Sequence, residues 1–425
     1  MKHVILGAGP AGIIAAETLR KHAPADDIVV IGDEPEAPYS RMAIPYLLIG
    51  KVGEDGTHLR HGVTHYHDLR ITLRRGLRAT GVDTAARQVA LSDGSTLGYD
   101  RLLIATGSSP ATPPIPGIHG RGVHSCWTLE DARAIQALAK PGARVLQMGA
   151  GFIGCIIMEA LAMRGVQLSV VEMGDRMVPR MMGPTAGGMI KDWCQAKGVA
   201  VYTGARVEAI DRATPGEPPM SVRLSTGQRI EADLVISATG VKPNIGFLEH
   251  SGVRCLVGVL TDEHLQTSAP GVYAAGDCAE AFDKVSGTTI VSAIQPNAAE
   301  QARVAALNMA GQRAELKGVT QINVLDTLGL ISASFGQWQG LPGGEQVELT
   351  DRANHRHISL QFKGDRLVGC NAIGFTEHVG VMRGLVEGEV RLKPEWKARL
   401  LADPTQLMPA YLASAQAQHE RAVLK

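Results

Sequence analysis

The feature that most constrains this chain is a glycine pattern that occurs twice, each time directly after a short apolar run. Near the beginning, Val4-Ile5-Leu6 leads into Gly7-x-Gly9-x-x-Gly12, and later Val145-Leu146-Gln147-Met148 leads into Gly149-x-Gly151-x-x-Gly154. In a strand–turn–helix unit the first glycine permits the tight turn, the second lets a pyrophosphate approach the backbone, and the third lets helix and strand pack closely. We therefore predict two dinucleotide-binding units of the Rossmann type.

Each glycine pattern is followed by the two further parts that such a unit needs. A helical pattern covers residues 13–19 after the first and residues 155–163 after the second, and the N-terminal N–H groups of such helices can bind phosphate. A second strand then ends in acids that can accept ribose hydroxyls, namely Asp33 and Glu34 in the first unit and Glu172 in the second. Both copies of the pattern are therefore complete.

The acid of the second unit also bears on the choice of nicotinamide cofactor. A carboxylate at the position of Glu172 repels a 2′-phosphate, so the sequence favours NAD(H) over NADP(H). Arg176 and Arg180 follow closely enough to bind a phosphate, which leaves NADP(H) open.

Later segments of the chain are predicted to reach the sheet edges at which the glycine turns lie. Ala105-Thr106-Gly107 and Ala238-Thr239-Gly240 end two buried strands in the same small residues, where backbone can lie against a flat cofactor. Another buried strand ends at Gly276-Asp277, whose carboxylate can bind hydroxyls of a long cofactor, with a plain turn aspartate as the alternative. Pro296 then opens an alanine-rich helix whose positive dipole end can face the same cofactor.

Composition excludes several other classes of protein. The 425 residues carry 42 Lys plus Arg and 42 Asp plus Glu, so no net field attracts nucleic acid or an anionic membrane. No apolar run approaches the roughly 20 residues of a membrane-spanning helix. The six cysteines are scattered without C-x-x-C spacing, which encodes neither a zinc site nor a local redox dithiol and is typical of a reducing cytoplasm. We expect a cytoplasmic protein.

A group of histidines raises a metal hypothesis. His58, His61, His65 and His67 lie in a polar loop and in a helix predicted over residues 63–69. No carboxylate or thiol completes a recognisable ligand set, so we expect capping or solvated histidines and no metal.

The remaining segments complete an α/β prediction. Short alternating runs over residues 73–99 indicate a β-meander, and prolines between residues 110 and 116 form a stiff linker. From about residue 320 strands with turns are followed by helices, which predicts a C-terminal α+β unit without a chemical motif of its own. Its predicted strands cover residues 331–335, 357–362 and 367–373, and its predicted helices cover 379–386, 394–401 and 411–424.

Taken in order, these motifs resemble the pyridine nucleotide–disulfide oxidoreductase superfamily, flavoproteins with two dinucleotide-binding domains. The resemblance implies that the first glycine turn binds FAD, that the second binds NAD(H), and that Asp277 holds the ribityl chain of FAD. It also implies a discontinuous FAD-binding domain (1–113 and 241–315), an NAD(H)-binding domain (114–240) and a C-terminal interface domain (316–425) through which a homodimer can form.

The resemblance assigns a set of residues to each cofactor. The residues expected to bind FAD are Gly7, Gly9, Pro10, Ala11, Gly12, Asp33, Glu34, Arg41, Ala105, Thr106, Gly107, Gly276, Asp277 and Pro296. The residues expected to bind NAD(H) are Gly149, Gly151, Phe152, Ile153, Gly154, Glu172 and Gly240.

Within the superfamily the chain is most similar to the branch of rubredoxin and ferredoxin reductases, the flavin part of nitrite reductase, and coenzyme A-disulfide reductase. Met42 stands where the last of these has a reactive cysteine, and a thioether cannot form a mixed disulfide. Ferredoxin-reductase-like members often carry a lysine and a glutamate close to the flavin, where this chain has Tyr46 and Ile156. The catalytic residues are therefore unassigned, and Arg41, Met42, Tyr46 and Ile156 are the candidates nearest the flavin.

The resemblance implies an FAD-dependent oxidoreductase that takes hydride from NADH and passes electrons to an acceptor. Because no thiol relay is encoded, a small iron–sulfur protein or a partner subunit is the expected acceptor. Two alternatives stay open. One is an NADH oxidase or a quinone- or sulfur-compound reductase; the other is a flavin-carrying electron-transfer subunit of a larger complex, with little NADH activity of its own.

Overall fold

The structure is a computed structural model, and it describes residues 1–212, 219–319, 321–375 and 377–414. The chain forms two compact units. The first unit comprises Met1–Pro110 and Val241–Val319, and the second comprises Ala111–Gly240 and Thr320–Lys425. The division into three domains stays a prediction.

Both units contain helices and strands. The helices are α1 (Pro10–His22), α2 (Ile44–Leu48), α3 (His65–Asp68), α4 (Leu129–Leu138), α5 (Phe152–Met163), α6 (Pro184–Ala196), α7 (Gln295–Met309), α8 (Val379–Glu387) and α9 (Pro394–Ala402). The strands are β1 (Lys2–Leu6), β2 (Asp27–Ile31), β3 (Ile71–Arg74), β4 (Ala79–Asp83), β5 (Gln88–Leu91), β6 (Thr96–Gly98), β7 (Arg101–Ile104), β8 (Ser108–Pro110), β9 (Val123–His124), β10 (Arg144–Met148), β11 (Gln167–Glu172), β12 (Ala200–Thr203), β13 (Val207–Arg212), β14 (Met220–Leu224), β15 (Arg229–Ala232), β16 (Leu234–Ser237), β17 (Val241–Pro243), β18 (Val259–Leu260), β19 (Val272–Ala274), β20 (Ala279–Asp283), β21 (Thr288–Val291), β22 (Ile322–Thr327), β23 (Leu330–Gly336), β24 (Glu345–Asp351), β25 (Arg356–Lys363) and β26 (Arg366–Ile373).

The first unit is built on a five-stranded parallel sheet in the order β19-β7-β1-β2-β3. Helices α1 and α7 pack together against one face, where small residues such as Ala15 and Ala302 are fully buried and let the two helices approach closely. Because the strands are parallel, their carboxyl ends meet at one edge. That edge collects the glycine turn after β1, the acids after β2 and Gly276-Asp277 after β19.

The second unit repeats this plan and adds an antiparallel sheet. Its five-stranded parallel sheet has the order β12-β11-β10-β16-β9, so the glycine strand again lies between the acid strand and the strand that ends in Ala-Thr-Gly. The C-terminal segment forms an antiparallel sheet in the order β22-β23-β26-β25-β24, against which α8 and α9 pack. The predicted α/β class is confirmed.

Several predicted boundaries are wrong for physical reasons. Gly9 and Gly151 act as N-caps, so α1 and α5 begin three residues earlier than predicted. The meander begins at Ala79 rather than at residue 73, because β3 pairs parallel with β2 in the main sheet. The helix predicted over residues 63–69 covers only His65–Asp68. Residues 407–414 are helical, and the rest of the predicted tail helix lies outside the described residues.

Candidate functional sites

The first glycine turn requires glycine at two positions because of its own backbone. Gly7 has a φ of +118°, and a Cβ atom there would lie 2.0 Å from the carbonyl oxygen of Ala105. A Cβ atom at Gly12 would lie 1.9 Å from the carbonyl oxygen of Gly7. Side chains at either position would therefore break the turn or push α1 away from the strand.

The second glycine turn has the same internal fit. Gly149 has a φ of +95°, and its Cβ position lies 2.4 Å from the carbonyl oxygen of Ala238, while that of Gly154 lies 2.6 Å from the carbonyl oxygen of Gly149. Ala105 and Ala238 each begin an Ala-Thr-Gly segment. These repeated segments thus pack their backbone directly against the first glycine of each turn.

The central glycine of each turn is required by neither backbone nor packing. Gly9 and Gly151 have φ/ψ of −76°/−174° and −75°/−172°, which any residue can adopt. Apart from the two chain neighbours, no heavy atom of the described residues lies within 4 Å of the Cβ position of either glycine. What glycine provides at these two positions is an open approach to the backbone, as the pyrophosphate of a dinucleotide needs.

The helix that follows each turn offers backbone donors at its start. Neither α1 nor α5 has a side-chain hydrogen bond at its N-cap. Pro10 occupies the first turn of α1, where a missing N–H costs little, and Ala11 is buried behind it. Phe152 and Ile153 open α5 and are half-buried. Both helix starts therefore suit an anionic phosphate.

The acids of the first unit lie beyond the end of β2. Asp33 is 52% exposed and pairs with Arg78 at 3.6 Å. Glu34 accepts hydrogen bonds from the hydroxyl of Tyr39 at 2.6 Å and from the guanidinium of Arg41 at 2.8 Å. Arg41, predicted as a flavin or phosphate contact, is thus brought to the predicted ribose acid.

The acid of the second unit is joined to backbone instead. Glu172 accepts a hydrogen bond from the N–H of Ala150, inside the glycine turn, at 2.7 Å, and another from the N–H of Gly174 at 2.7 Å. Each carboxylate oxygen has a second lone pair, so both remain able to accept a ribose hydroxyl. Arg176 donates to the carbonyl oxygens of Met182 and Pro179 and so is held by its own loop.

Asp277 lies at the same edge of the first sheet as the glycine turn. Its carboxylate accepts a hydrogen bond from the hydroxyl of Ser108 at 2.9 Å. Burial raises the pKa of Asp277, while the Ser108 hydrogen bond and the charge of Arg41 act in the opposite direction. The preceding Gly276 donates its N–H to the buried Gln301 of α7 at 2.7 Å. A partly buried carboxylate with one hydrogen-bond partner suits the hydroxyls of a polyol chain.

Other predicted FAD contacts lie around this edge. The hydroxyl of Thr106 donates to the carbonyl oxygen of Asn244, and the next residue, Gly107, has a φ of +64°. Pro296 is exposed at the start of α7, and the preceding Gln295 accepts a hydrogen bond from Ser40 at 2.8 Å, which ties the Arg41-containing loop to α7.

The four candidates near the flavin differ in exposure. Met42 and Tyr46 are both 52% exposed, on the segment that comprises the short 3-10 turn Arg41–Ala43 and α2. Ile156 is half-buried on α5 in the second unit, where Gly240 is exposed with a φ of +109°. None of these four supplies an acid, a base or a thiol in the described structure.

The cysteines are not placed for redox chemistry. Among the described residues, Cys255 is partly exposed and the other cysteines are buried; all are free thiols. Burial raises the pKa of Cys126 and of Cys194 to about 12, and it also raises the pKa of Cys155. Thiols held in the protonated form are poor nucleophiles and poor metal ligands.

Two of the four histidines have acidic partners. His65 hydrogen-bonds to Glu17 of α1 at 2.8 Å, and Arg60 is paired with the same carboxylate. The exposed ring of His67 lies 3.5 Å from the carboxylate of its neighbour Asp68. Within residues 1–212, 219–319, 321–375 and 377–414, no three His, Cys, Asp or Glu side chains form a group that could hold a metal ion, and no helix is long and apolar enough to cross a membrane.

Sequence reasoning missed three residues of these sites. Tyr39 donates to Glu34 and Ser108 donates to Asp277. Gln147 donates to the carbonyl oxygen of Gly149 at 2.8 Å. Only Gln147 carried a sequence signal, because a polar side chain interrupts the apolar strand β10.

One parallel-sheet plan, present in each unit and carrying a glycine turn with an open central position, is typical of a protein that binds two dinucleotides. The family model of the pyridine nucleotide-disulphide oxidoreductases matches residues 1–306, and the chain belongs to this family. Its members bind FAD and NAD(H), so the chain is an FAD-dependent oxidoreductase that uses a pyridine nucleotide.

Individual relatives match nearly the whole chain. Subunit epsilon of the NADH-dependent phenylglyoxylate dehydrogenase of Aromatoleum evansii is 31% identical over 95% of this chain and 95% of its own length. The ferredoxin–NAD(+) reductase component of the anthranilate 1,2-dioxygenase system of Burkholderia cepacia is 30% identical over 96% of this chain and 98% of its own. A chain of the crystal structure of the covalent putidaredoxin reductase–putidaredoxin complex superposes with a TM-score of 0.88, at 25% identity, over 97% of this chain and 99% of that chain.

Proposed function

We propose that this protein is an NADH-dependent reductase of a small iron–sulfur protein, with FAD on the first glycine turn and NADH on the second. The observation that carries the proposal is the open position at Gly9 and Gly151, where glycine is needed by neither backbone nor packing. Two such positions in one chain call for two dinucleotides. The relative from Burkholderia cepacia supports the iron–sulfur acceptor, since its name describes a ferredoxin reductase.

Residues of the first unit would hold the flavin cofactor. The N–H groups at the start of α1 would bind its pyrophosphate, Glu34 would accept ribose hydroxyls, and Asp277 would accept hydroxyls of its ribityl chain. Bound FAD supplies the capacity to accept a hydride and to release electrons singly. Arg41 places a positive charge near Asp277 and thereby favours the ionised carboxylate, which is the better acceptor.

Residues of the second unit favour NADH over NADPH. Glu172 presents a carboxylate where a 2′-phosphate would lie, and Arg176 is committed to the carbonyl oxygens of its own loop. A 2′-phosphate at this position would be repelled by the carboxylate of Glu172, and the guanidinium of Arg176 is not free to offset that repulsion. We therefore infer that NADH is the preferred reductant.

The thiols support an acceptor outside this chain. A disulfide relay needs an accessible thiolate, whereas the described cysteines are mostly buried and the position expected for a reactive cysteine is Met42. Electrons would thus leave for a separate redox protein. The exposed side chains of Met42 and Tyr46 are candidates for contact with it.

A second candidate is a flavin-carrying subunit of a larger complex. The relative from Aromatoleum evansii is by name a subunit of an NADH-dependent dehydrogenase, and it matches this chain along 95% of both lengths. The absence of the expected lysine and glutamate at Tyr46 and Ile156 is compatible with this role. We also propose, from the cysteine pattern and the resemblance, a cytoplasmic location and a homodimer formed through the C-terminal residues 316–425.

Steady-state turnover with matched acceptors tests the function. The holoenzyme is supplied with NADH and, in separate reactions, with a rubredoxin, a ferredoxin, a soluble quinone or oxygen alone. The proposal predicts that an iron–sulfur protein is reduced much faster than quinone or oxygen. Faster reduction of oxygen or quinone would contradict it, and NADH turnover that appears only with a co-purified partner would favour the subunit role.

A further inference from the structure

One peptide bond in the second glycine turn is held at both of its polar ends by side chains. The carbonyl oxygen of Gly149 accepts a hydrogen bond from Nε2 of Gln147 at 2.8 Å. The N–H of Ala150, which belongs to the same peptide group, donates to Oε2 of Glu172 at 2.7 Å. The peptide group cannot rotate about its flanking dihedral angles without losing one of these hydrogen bonds.

The next carbonyl group of the turn is held as well. The oxygen of Ala150 accepts a hydrogen bond from the N–H of Val178 at 2.8 Å and faces the Sγ atom of Cys155 at 3.7 Å. The turn is therefore fixed on two consecutive peptide groups before any ligand contributes a contact.

The first glycine turn lacks these side-chain hydrogen bonds. No side chain of the described residues hydrogen-bonds to Gly7, Ala8 or Gly9, and the N–H of Gly7 donates to the carbonyl oxygen of Ile31 at 2.7 Å. The position that corresponds to Gln147, two residues before the first glycine, is Ile5.

Strand register explains the difference at the acid. Leu6 pairs with Ile31 in the first sheet, and Met148 pairs with Val171 in the second. The residue after each partner is Gly32 in the first unit and Glu172 in the second. The first turn thus has no side chain where the second has a carboxylate.

The burial of Gln147 argues against a role in packing alone. Gln147 is fully buried within β10, and its Oε1 atom has no hydrogen-bond partner among the described residues. A buried acceptor without a partner costs stability. An aliphatic residue avoids this cost, as Ile5 does at the matching position.

We propose that Gln147 is a positioning residue that preorganises the second turn for a nicotinamide dinucleotide. This inference rests on the proposed function, in which NADH must bind and NAD⁺ must leave in every turnover. If the turn is already ordered before the ligand binds, less of the binding free energy is lost to ordering it. FAD stays bound between turnovers, so its turn can be completed by the cofactor itself.

The direct test replaces Gln147 by a residue of similar length that has no hydrogen-bond donor. In Gln147→Met the side chain keeps its length and loses the hydrogen bond to Gly149. One neutral hydrogen bond corresponds to an affinity loss of about five- to tenfold. Calorimetric titration of the FAD-loaded variant with NAD⁺ is expected to show this increase in Kd, and the KM for NADH, measured with ferricyanide as acceptor, is expected to rise by the same factor, while kcat and FAD content stay unchanged.

Leu146→Met is the matched control. Leu146 is equally buried, precedes Gln147 in the same strand and belongs to the core on the opposite face of the sheet. The substitution to methionine conserves volume and touches no atom of the turn. The Kd for NAD⁺ of this variant is expected to equal that of the wild-type protein.

A second variant separates positioning from folding. In Gln147→Glu a protonated carboxyl can donate to Gly149 as the amide does, whereas an ionised one would repel both that carbonyl group and Glu172. Burial and the neighbouring carboxylate raise the pKa of such a group. Affinity for NAD⁺ relative to wild type is therefore expected to be nearly normal at low pH and to fall as the pH rises.

Three results would overturn the positioning role. They are an unchanged Kd in Gln147→Met, a loss of FAD in that variant, and a Gln147→Glu affinity at low pH that is as weak as that of Gln147→Met. Failure of the proposed function looks different, because the wild-type protein would then not be reduced by NADH, while calorimetry with NAD⁺ would still report on the turn.

Discussion

In the first unit the glycine turn at Gly7 is held by a backbone hydrogen bond to Ile31, whereas in the second unit the side chains of Gln147 and Glu172 also hold the turn at Gly149. The backbone geometry of the two turns is otherwise nearly the same, down to the N-cap dihedral angles. The comparison shows that the same strand–turn–helix arrangement can have its turn held by side chains in one copy and by backbone in the other.

The predicted ribose-binding acids of the two units also differ in what holds them, since Glu34 contacts side chains and Glu172 contacts backbone. Glu34 lies two residues beyond the register position of Glu172 and contacts the side chains of Tyr39 and Arg41. Glu172 contacts backbone N–H groups of its own turn and loop. In the first unit the acid can thus be repositioned by side-chain motion, while in the second it is part of the turn.

The largest expected effect comes from filling the open position of each turn. Gly9→Val and Gly151→Val suit the backbone dihedral angles, and the Cβ position at each site is free of described atoms other than the chain neighbours, so both variants are expected to fold. The added methyl groups would occupy the space through which a pyrophosphate approaches. Overpacking of roughly 1–3 kcal/mol corresponds to an affinity loss of about five- to 150-fold. We expect Gly9→Val to be purified without FAD and Gly151→Val to retain FAD but not be reduced by NADH.

Absorbance spectra of the purified variants and anaerobic addition of NADH check this pair. The reverse pattern, with FAD lost from Gly151→Val, would exchange the two cofactor assignments. Retention of full activity by both variants would show that neither turn contacts a dinucleotide.

Glu172→Ala is expected to have the next largest effect. It removes a ribose acceptor and one of the two side chains that hold the turn. The loss of a hydrogen bond to a charged group, roughly 1.5–3 kcal/mol, predicts a KM for NADH about ten- to a hundredfold higher, with FAD content unchanged. Steady-state kinetics with ferricyanide measures this, and an improved use of NADPH relative to NADH is expected in the same variant.

Asp277→Asn tests whether Asp277 serves the binding of FAD or the stability of the apoprotein. The variant loses a charged acceptor for FAD, so the Kd for FAD is expected to rise about tenfold. Because burial raises the pKa of Asp277, the ionised carboxylate lowers the stability of the apoprotein, increasingly as the pH rises from the unfolded-state pKa to the folded-state pKa. The apoprotein of the variant should therefore have a Tm no lower than that of the wild type near neutral pH, and a clear decrease would show that Asp277 is a structural residue.

The smallest effect is expected from thiol alkylation. Cys278 donates to the carbonyl oxygens of Ile104 and Ala275 behind the first site, and Cys155 lies behind the second turn; both are buried. Treatment of the folded holoenzyme with iodoacetamide should leave NADH oxidation within about twofold of the untreated rate, since protonated buried thiols react slowly. Rapid inactivation that NADH prevents would point to a redox thiol.

The local parts of both sites could be predicted from the sequence. The glycine turns and the residue pair Gly276-Asp277 follow short-range rules, and the parallel strand order then brings them to one edge. Gly32 and Glu172 occupy equivalent register positions, which no count of residues between motifs reveals. The contacts of Tyr39 with Glu34 and of Ser108 with Asp277 depend on tertiary placement in the same way.

Some features that were not predicted are nevertheless marked in the sequence. Helix α4 begins with a capping box formed by Thr128 and Asp131. Helix α6 begins with Pro184 in its first turn, but Gly187 and Gly188 within it weaken the helical pattern. The buried Gln147 interrupts an apolar strand, which marks the residue as unusual, although its partner on the turn is visible only in the folded structure.

Anaerobic rapid mixing of the FAD-loaded protein with NADH or NADPH, followed through the visible flavin absorbance, tests the central claim most directly. We expect fast loss of that absorbance with NADH, much slower loss with NADPH, and its return on addition of an oxidised iron–sulfur protein. An unchanged spectrum with NADH would contradict the assignment of two functional dinucleotide sites to this chain, and faster reduction by NADPH would contradict the role given to Glu172.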